Sequence, residues 1–275
     1  GFFMVGILSM SWLFGLFESY SQWNYVFWVL AVATAIAILL SLSVHIDDKG
    51  FGEKEIAGDR VQRGVLATIF SSWVTWFFIV LSISYVFIEN GLTIWLPTFN
   101  NHFLHINTAI SIELISILSA SLALGRLFFS AVLEYVNNMF VLVVCMIIAL
   151  VIFIGSMFAI ESMPTAWGTI SSWTQLPAIA LWLPLVGFVI APIYPTFASV
   201  LLTCFPEKRF QSPISSIIVI FSAVGGMAGA VLLGYLFKVL GPAKGIAVPA
   251  VPLFIMLLLT IPYFLVIKHR NTSTK

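Results

Sequence analysis

Charge is what this chain lacks. Of 275 residues, 12 are Lys or Arg and 11 are Asp or Glu, 8% in all, where a soluble domain carries about 25%. Hydrophobic residues make up 61% and the mean hydropathy is +1.10. No soluble core could enclose that much apolar surface, so lipid must be the solvent. The net charge of +1 is too small to suggest a nucleic-acid partner.

Reactive side chains are scarce too. The two cysteines, Cys145 and Cys204, lie in or at the end of apolar runs and have no metal-ligand spacing. The four histidines all fall near span ends or in loops. His102 and His105 form an HxxH pattern that reads as two solvated loop residues. No span holds an acid pair at close helical spacing, and no histidine lies deep in one. An intramembrane enzyme needs such groups converging on one point, and the nearest approach is Glu89 and Glu113 on adjacent spans. Neither a metal, a cofactor nor a catalytic residue is expected. Gly1 already lies inside an apolar run, with no initiator Met and no basic n-region. No signal peptide is read there, and the expectation is a fragment cut within a span, with processing as the alternative.

Long apolar runs are what the chain does have. A span needs about 20 residues, and eight runs qualify: Gly1–Phe17, Tyr25–Val44, Ala67–Thr98, Thr108–Val132, Met139–Ile160, Ile179–Cys204, Ile214–Phe237 and Ile246–Ile267. Between the second and third, HIDDKGFGEKEIAGDRVQRG holds nine of the 23 formal charges and reads as a solvated linker. It divides the chain into residues 1–44, a linker 45–66 and a second unit 67–275. The third run is too long to stand upright, so tilt or an interfacial start is expected. The sixth carries Pro184, Gly187, Pro192 and Pro195, which break the helical ladder and leave carbonyls for neighbours to satisfy. The seventh has Gly225 and Gly229 at GxxxG spacing, a weak signal for close helix packing. Ten of the twelve Lys and Arg fall on one side of this layout, which places the linker and the C-terminus in the cytoplasm.

One stretch stands out, YVFIENGLTIWLPTF at 85–99. It sets Glu89 and Asn90 inside an apolar run, where an ionisable group costs about 2.5–3.5 kcal/mol on insertion scales. Glu89 therefore needs a partner, a wet cavity or a proton. A neighbouring helix that merely hydrogen-bonds it is the plainer reading. Trp95 and Pro97 read as the outer end of the helix.

Six spans after a charged cytoplasmic linker resemble the second half of a major facilitator superfamily transporter, with two spans of the first half before it. GFFMVGILSMSWLFGLF and WNYVFWVL resemble helices five and six of that family, ENGLTIWLPTF the seventh, LALGRLFFSAVLEYV the eighth and GFVIAPIYPTFASV the tenth. The fucose:proton symporter-like branch is the most similar. The resemblance implies an all-α integral membrane fold: the last two helices of the N-terminal bundle plus the complete C-terminal six-helix bundle, with helices one to four missing. It implies secondary active transport of a small polar solute, a sugar in that branch, by alternating access, with a proton or sodium as coupling ion and the plasma (inner) membrane as location. A non-transporting receptor or chaperone on the same fold stays open, as does an intramembrane enzyme. The lipid bilayer is the other expected partner.

By the same resemblance the solute and ion pathway falls to Tyr85, Glu89, Asn90 and Trp95, with Ser82 on the same face. Glu113 and Ser116 follow in the next span, and Tyr194 and Thr196 in the sixth. Tyr85 is offered as a ring for a sugar face, and Glu89 as the proton carrier. Glu113 reads equally as an interfacial solvated acid, and Thr196 as bonded to its own backbone. Arg126 and Glu134 are assigned to gating, with Arg126 an anchor or a partner for Glu134 rather than a solute ligand. The family's loop after its eighth helix is usually more basic than EYVNN.

Overall fold

The computed structural model describes residues 6, 9, 13, 14, 17, 24–43, 59–163 and 168–273. Most of the expected first span and most of the charged linker lie outside them. Among the described residues, seven segments are long and apolar enough to cross a membrane, and each corresponds to one of the remaining seven runs.

Helix α1 (Tyr25–Ser43) buries only Val26 and turns Trp28, Leu39 and Leu42 outward, as suits a helix whose solvent is lipid. α2 (Asp59–Phe70) and α3 (Trp73–His102) replace the single long third run. The first turns of α2 come from the tail of the expected linker. The chain breaks at Ser71–Ser72, and α3 side chains satisfy the carbonyls that end α2. Thr75 Oγ1 donates to the Ile69 carbonyl (2.7 Å) and Trp76 Nε1 to that of Phe70 (2.9 Å). At its other end α3 runs four residues past Thr98, so Glu89 sits near its middle, about 24 Å along from Trp73 and about 20 Å from His102 at 1.5 Å per residue.

α4 (Thr108–Tyr135) and α5 (Asn138–Glu161) each begin on an asparagine cap. Asn107 Oδ1 accepts from the Ala109 amide (2.8 Å) and Asn137 Oδ1 from that of Met139 (2.9 Å), satisfying donors that helix starts leave free. The loop before α4 is pinned to the one after α5: the Ile170 amide donates to the His105 carbonyl (2.9 Å) and the Asn107 amide to that of Ile170 (2.8 Å). These bonds hold His105 at φ +52°.

The proline-rich run forms α6 (Ala178–Ile190) and α7 (Ile193–Cys204). The break falls at Ala191–Pro192, where Pro192 lacks the N–H that would reach Phe188. α8 (Lys208–Leu240), α9 (Pro242–Ala247) and α10 (Ala250–Ser273) complete the described chain.

α3 is the hub. It packs along α8 and also meets α10, α4 and α7, while α4 lies along α6. Glycines set both close pairings. A Cβ on Gly225 would lie 2.6 Å from the Ile83 carbonyl oxygen, and one on Gly229 would strike that of Phe87. The GxxxG stripe thus brings α8 backbone to backbone with α3. On α4, a Cβ on Gly125 would strike the Phe188 carbonyl, and one on Gly187 of α6 would sit 2.9 Å from that of Leu118. Gly125 therefore rests against the oxygen that Pro192 leaves without its helical donor. That contact suits a Cα–H···O approach, which a larger residue would prevent.

Candidate functional site: an ion pair at mid-depth

Gly125 brings α4 close enough to the bundle for the next residue, Arg126, to reach α3. Arg126 Nη2 donates to Glu89 Oε1 at 2.9 Å. The two side chains are 20% and 13% exposed, so the pair is mostly withdrawn from solvent. Glu89 has found the partner that a carboxylate in a span requires. That partner is not the one expected: Arg126 pairs across helices with Glu89 rather than along its own helix with Glu134. The physical reason is spacing: Arg126 and Glu134 lie eight residues apart on one continuous helix ending at Tyr135, about 12 Å along its axis, whereas α3 packs directly against α4.

Polar groups extend from the pair. The Tyr85 ring, 1% exposed, stacks on Tyr194 of α7 at 5.4 Å and 21°. Its hydroxyl interacts electrostatically with both Glu89 and Arg126 without making a well-formed hydrogen bond. The Tyr194 hydroxyl lies 2.7 Å from Ser222 Oγ of α8. Ser222 in turn donates to the Ile218 carbonyl (2.6 Å) and lies 3.2 Å from Ser82 Oγ. Three helices thus meet at Ser222, which sequence reading did not single out. Its only signal was a hydroxyl in an apolar run, shared by several serines.

A cavity of about 370 Å³ opens beside the pair, between α4 and α7. Arg126, Phe129, Ser130 and Glu134 line one wall, Pro192, Pro195, Thr196 and Ser199 the other, and Asn138 of α5 one edge. Prolines supply the cavity by keeping α7 from continuing α6. Thr196 lines it while donating its hydroxyl to the Pro192 carbonyl (2.7 Å).

The remaining candidates lie elsewhere. Tyr85 offers no free ring face on the Tyr194 side and lines none of the described cavities. Asn90 is exposed and lies over Gly226 of α8. Trp95 is half-buried and donates from Nε1 to the Ala230 carbonyl (2.7 Å). It therefore clamps α3 to α8, where an interfacial anchor was expected. Glu113 accepts from Trp173 Nε1 at 3.2 Å near the loop end of α4, far from Glu89. The Ser116 hydroxyl is buried without a partner.

A bundle of membrane-length helices, glycine-packed and broken by proline around a polar centre, defines a multi-pass integral membrane protein organised about an internal site. Residues 1–174 match the family model described as Major Facilitator Superfamily. That is more than half of the chain, and the chain belongs to the major facilitator superfamily. It is a superfamily of membrane transporters rather than enzymes, and the match includes both Glu89 and Arg126. None of the curated proteins matches the chain significantly.

Proposed function

We propose that the protein is a secondary active transporter that moves a small polar solute by alternating access and couples that movement to protons through Glu89. The observation that carries this reading is the 2.9 Å bond between Glu89 and Arg126 at mid-depth. A carboxylate held this way loses its charge when it accepts a proton, and the ion pair with Arg126 is reduced to at most a neutral-acceptor hydrogen bond. Proton binding therefore changes a contact between two helices, α3 and α4, which is what coupling requires.

The broken α6–α7 segment supports the reading, because discontinuous helices near the midplane commonly flank transporter sites. The sugar expected of the fucose:proton symporter-like branch finds hydroxyl and carboxylate partners in the cavity rather than a tyrosine face, since Tyr85 is stacked on Tyr194. With the positive-inside bias, the cavity opens towards the cytoplasm. The test is uptake into proteoliposomes by the whole protein carrying Glu89→Gln. Uptake down a solute gradient is expected to persist while a pH gradient no longer drives accumulation; coupling that survives intact would remove Glu89 from the mechanism.

A further inference from the structure

We infer that the cavity between α4 and α7 takes a small polyhydroxy carboxylate, a sugar acid, with its carboxylate on Arg126 and its hydroxyls towards Glu134. This inference rests on the transport reading and names the solute class for the same site.

Three observations converge on it. First, the cavity contains a cation. Arg126 lines it, with only Nη2 committed to Glu89 and Nε buried without a partner. Second, polar groups further along the cavity are uncommitted: among the described residues Ser130, Ser199, Asn138 and Glu134 have no side-chain hydrogen bond or ion pair. Hydroxyls of serine, the amide of asparagine and a carboxylate together match several hydroxyl groups, while Phe129, Pro192 and Pro195 supply apolar walls for a carbon chain. Third, the spacing fits. Arg126 and Glu134 are two helical turns apart, about 12 Å along the axis, too far for an easy direct pair and about the length of a six-carbon chain with its polar ends. The volume of about 370 Å³ lies within the usual range for small-molecule sites.

Charge explains why the solute should be an anion. One proton from the water phase converts the Glu89 carboxylate to the neutral acid, and Arg126 loses the negative charge it was paired with. The guanidinium then faces the cavity without a counter-ion. A neutral polyol would leave it so, whereas a carboxylate restores the pair. The loaded site, with one proton and one anion added, carries the same net charge as the empty one. Among the described residues, the ionisable groups around the pair are Tyr85 of α3, Glu134 of α4 and Tyr194 of α7. Between Arg209 and Tyr235, α8 carries none.

The test uses the purified whole protein in nanodiscs and equilibrium binding of three probes: gluconate, sorbitol and hexanoate. Gluconate is expected to bind at least about tenfold more tightly than sorbitol, which lacks the charge, and than hexanoate, which lacks the hydroxyls, since a charge-assisted or cavity hydrogen bond lost on either side is worth about that much. Arg126→Gln should reduce gluconate binding to the sorbitol level. Ser199→Ala should weaken gluconate several-fold and leave hexanoate unchanged, a readout that survives if the Arg126 variant does not fold. Sorbitol binding as well as gluconate, no gluconate binding by the folded protein, or Ser199→Ala affecting both acids alike would each overturn the inference. Failure of the transport reading would look different: pH-driven uptake unaltered by Glu89→Gln, whatever gluconate does.

Discussion

Arg126 and Glu89 are 37 residues apart in sequence, and their side chains meet at 2.9 Å between α4 and α3. Removing either leaves the other uncompensated in a site that is mostly closed to solvent. Glu89→Ala or Arg126→Ala should each destabilise the protein by about 2 kcal/mol, between the values for exposed and fully buried pairs. The exchange Glu89→Arg with Arg126→Glu should recover most of that loss and none of the transport, because the proton-accepting group then sits on the other helix. Thermal unfolding in detergent, with uptake measured on the same preparations, checks both halves. A double variant no more stable than the singles would mean that the ion pair does not join the helices.

Pro192 separates stability from movement. Ala191 and Pro192 both have right-handed helical backbone angles (φ −52°, ψ −42° and φ −76°, ψ −15°), so alanine at 192 fits without strain. It would offer an N–H to the Phe188 carbonyl, a gain of about 1 kcal/mol. It would also lose proline's restriction of the unfolded chain, a loss of about 0.4–1 kcal/mol. The two nearly cancel. Pro192→Ala should therefore leave the unfolding temperature almost unchanged while slowing uptake, because α6 and α7 become one stiffer helix. Uptake at the parental rate would show that the break is not used.

Sequence patterning located the helices well where lipid alone decides their extent. Met139–Ile160 became Asn138–Glu161, and Thr108–Val132 lengthened only to Tyr135. It did less well where side chains cap a break. Thr75 and Trp76 end α2 by bonding backward across six residues, and no apolar run records that. For the site, Glu89 was legible because burial of a charge is a local fact. Its partner was not, because pairing depends on how far Gly125 lets α4 approach α6, a property of the packed bundle. Trp95 shows the same limit: indole near a helix end suits a lipid interface equally well, and only the neighbouring Gly234 and the Ala230 carbonyl make it a clamp.

The glycines of α8 can be tested against one that has no neighbour. A methyl group on Gly225 would meet the Ile83 backbone oxygen at 2.6 Å, and backbone cannot step aside as a side chain can. One on Gly155 of α5 would meet nothing within 4 Å. Gly225→Ala should cost about 1–3 kcal/mol through overpacking. Gly155→Ala should be neutral or stabilising by up to about 1 kcal/mol, the helix propensity gained. Unfolding of both variants by a denaturing detergent gives the comparison. Equal effects would mean that α3 and α8 are not in backbone contact.

The clamp at Trp95 makes a coupled prediction. Its Nε1–H bonds the Ala230 carbonyl, and the six-membered part of its indole fills the space where Gly234 has no side chain. Trp95→Phe removes the bond, worth about 0.6 kcal/mol between membrane helices, and also vacates the space over Gly234. Gly234→Ala alone forces its methyl into the indole. In the phenylalanine background that methyl has room. The double variant should therefore be more stable than the sum of the two single losses predicts, with a coupling of about 1 kcal/mol, as residues in direct contact show. A double-mutant cycle on unfolding free energies measures this directly. Additive losses would place the indole away from Gly234, and the α3–α8 contact would then rest on Gly225 and Gly229 alone.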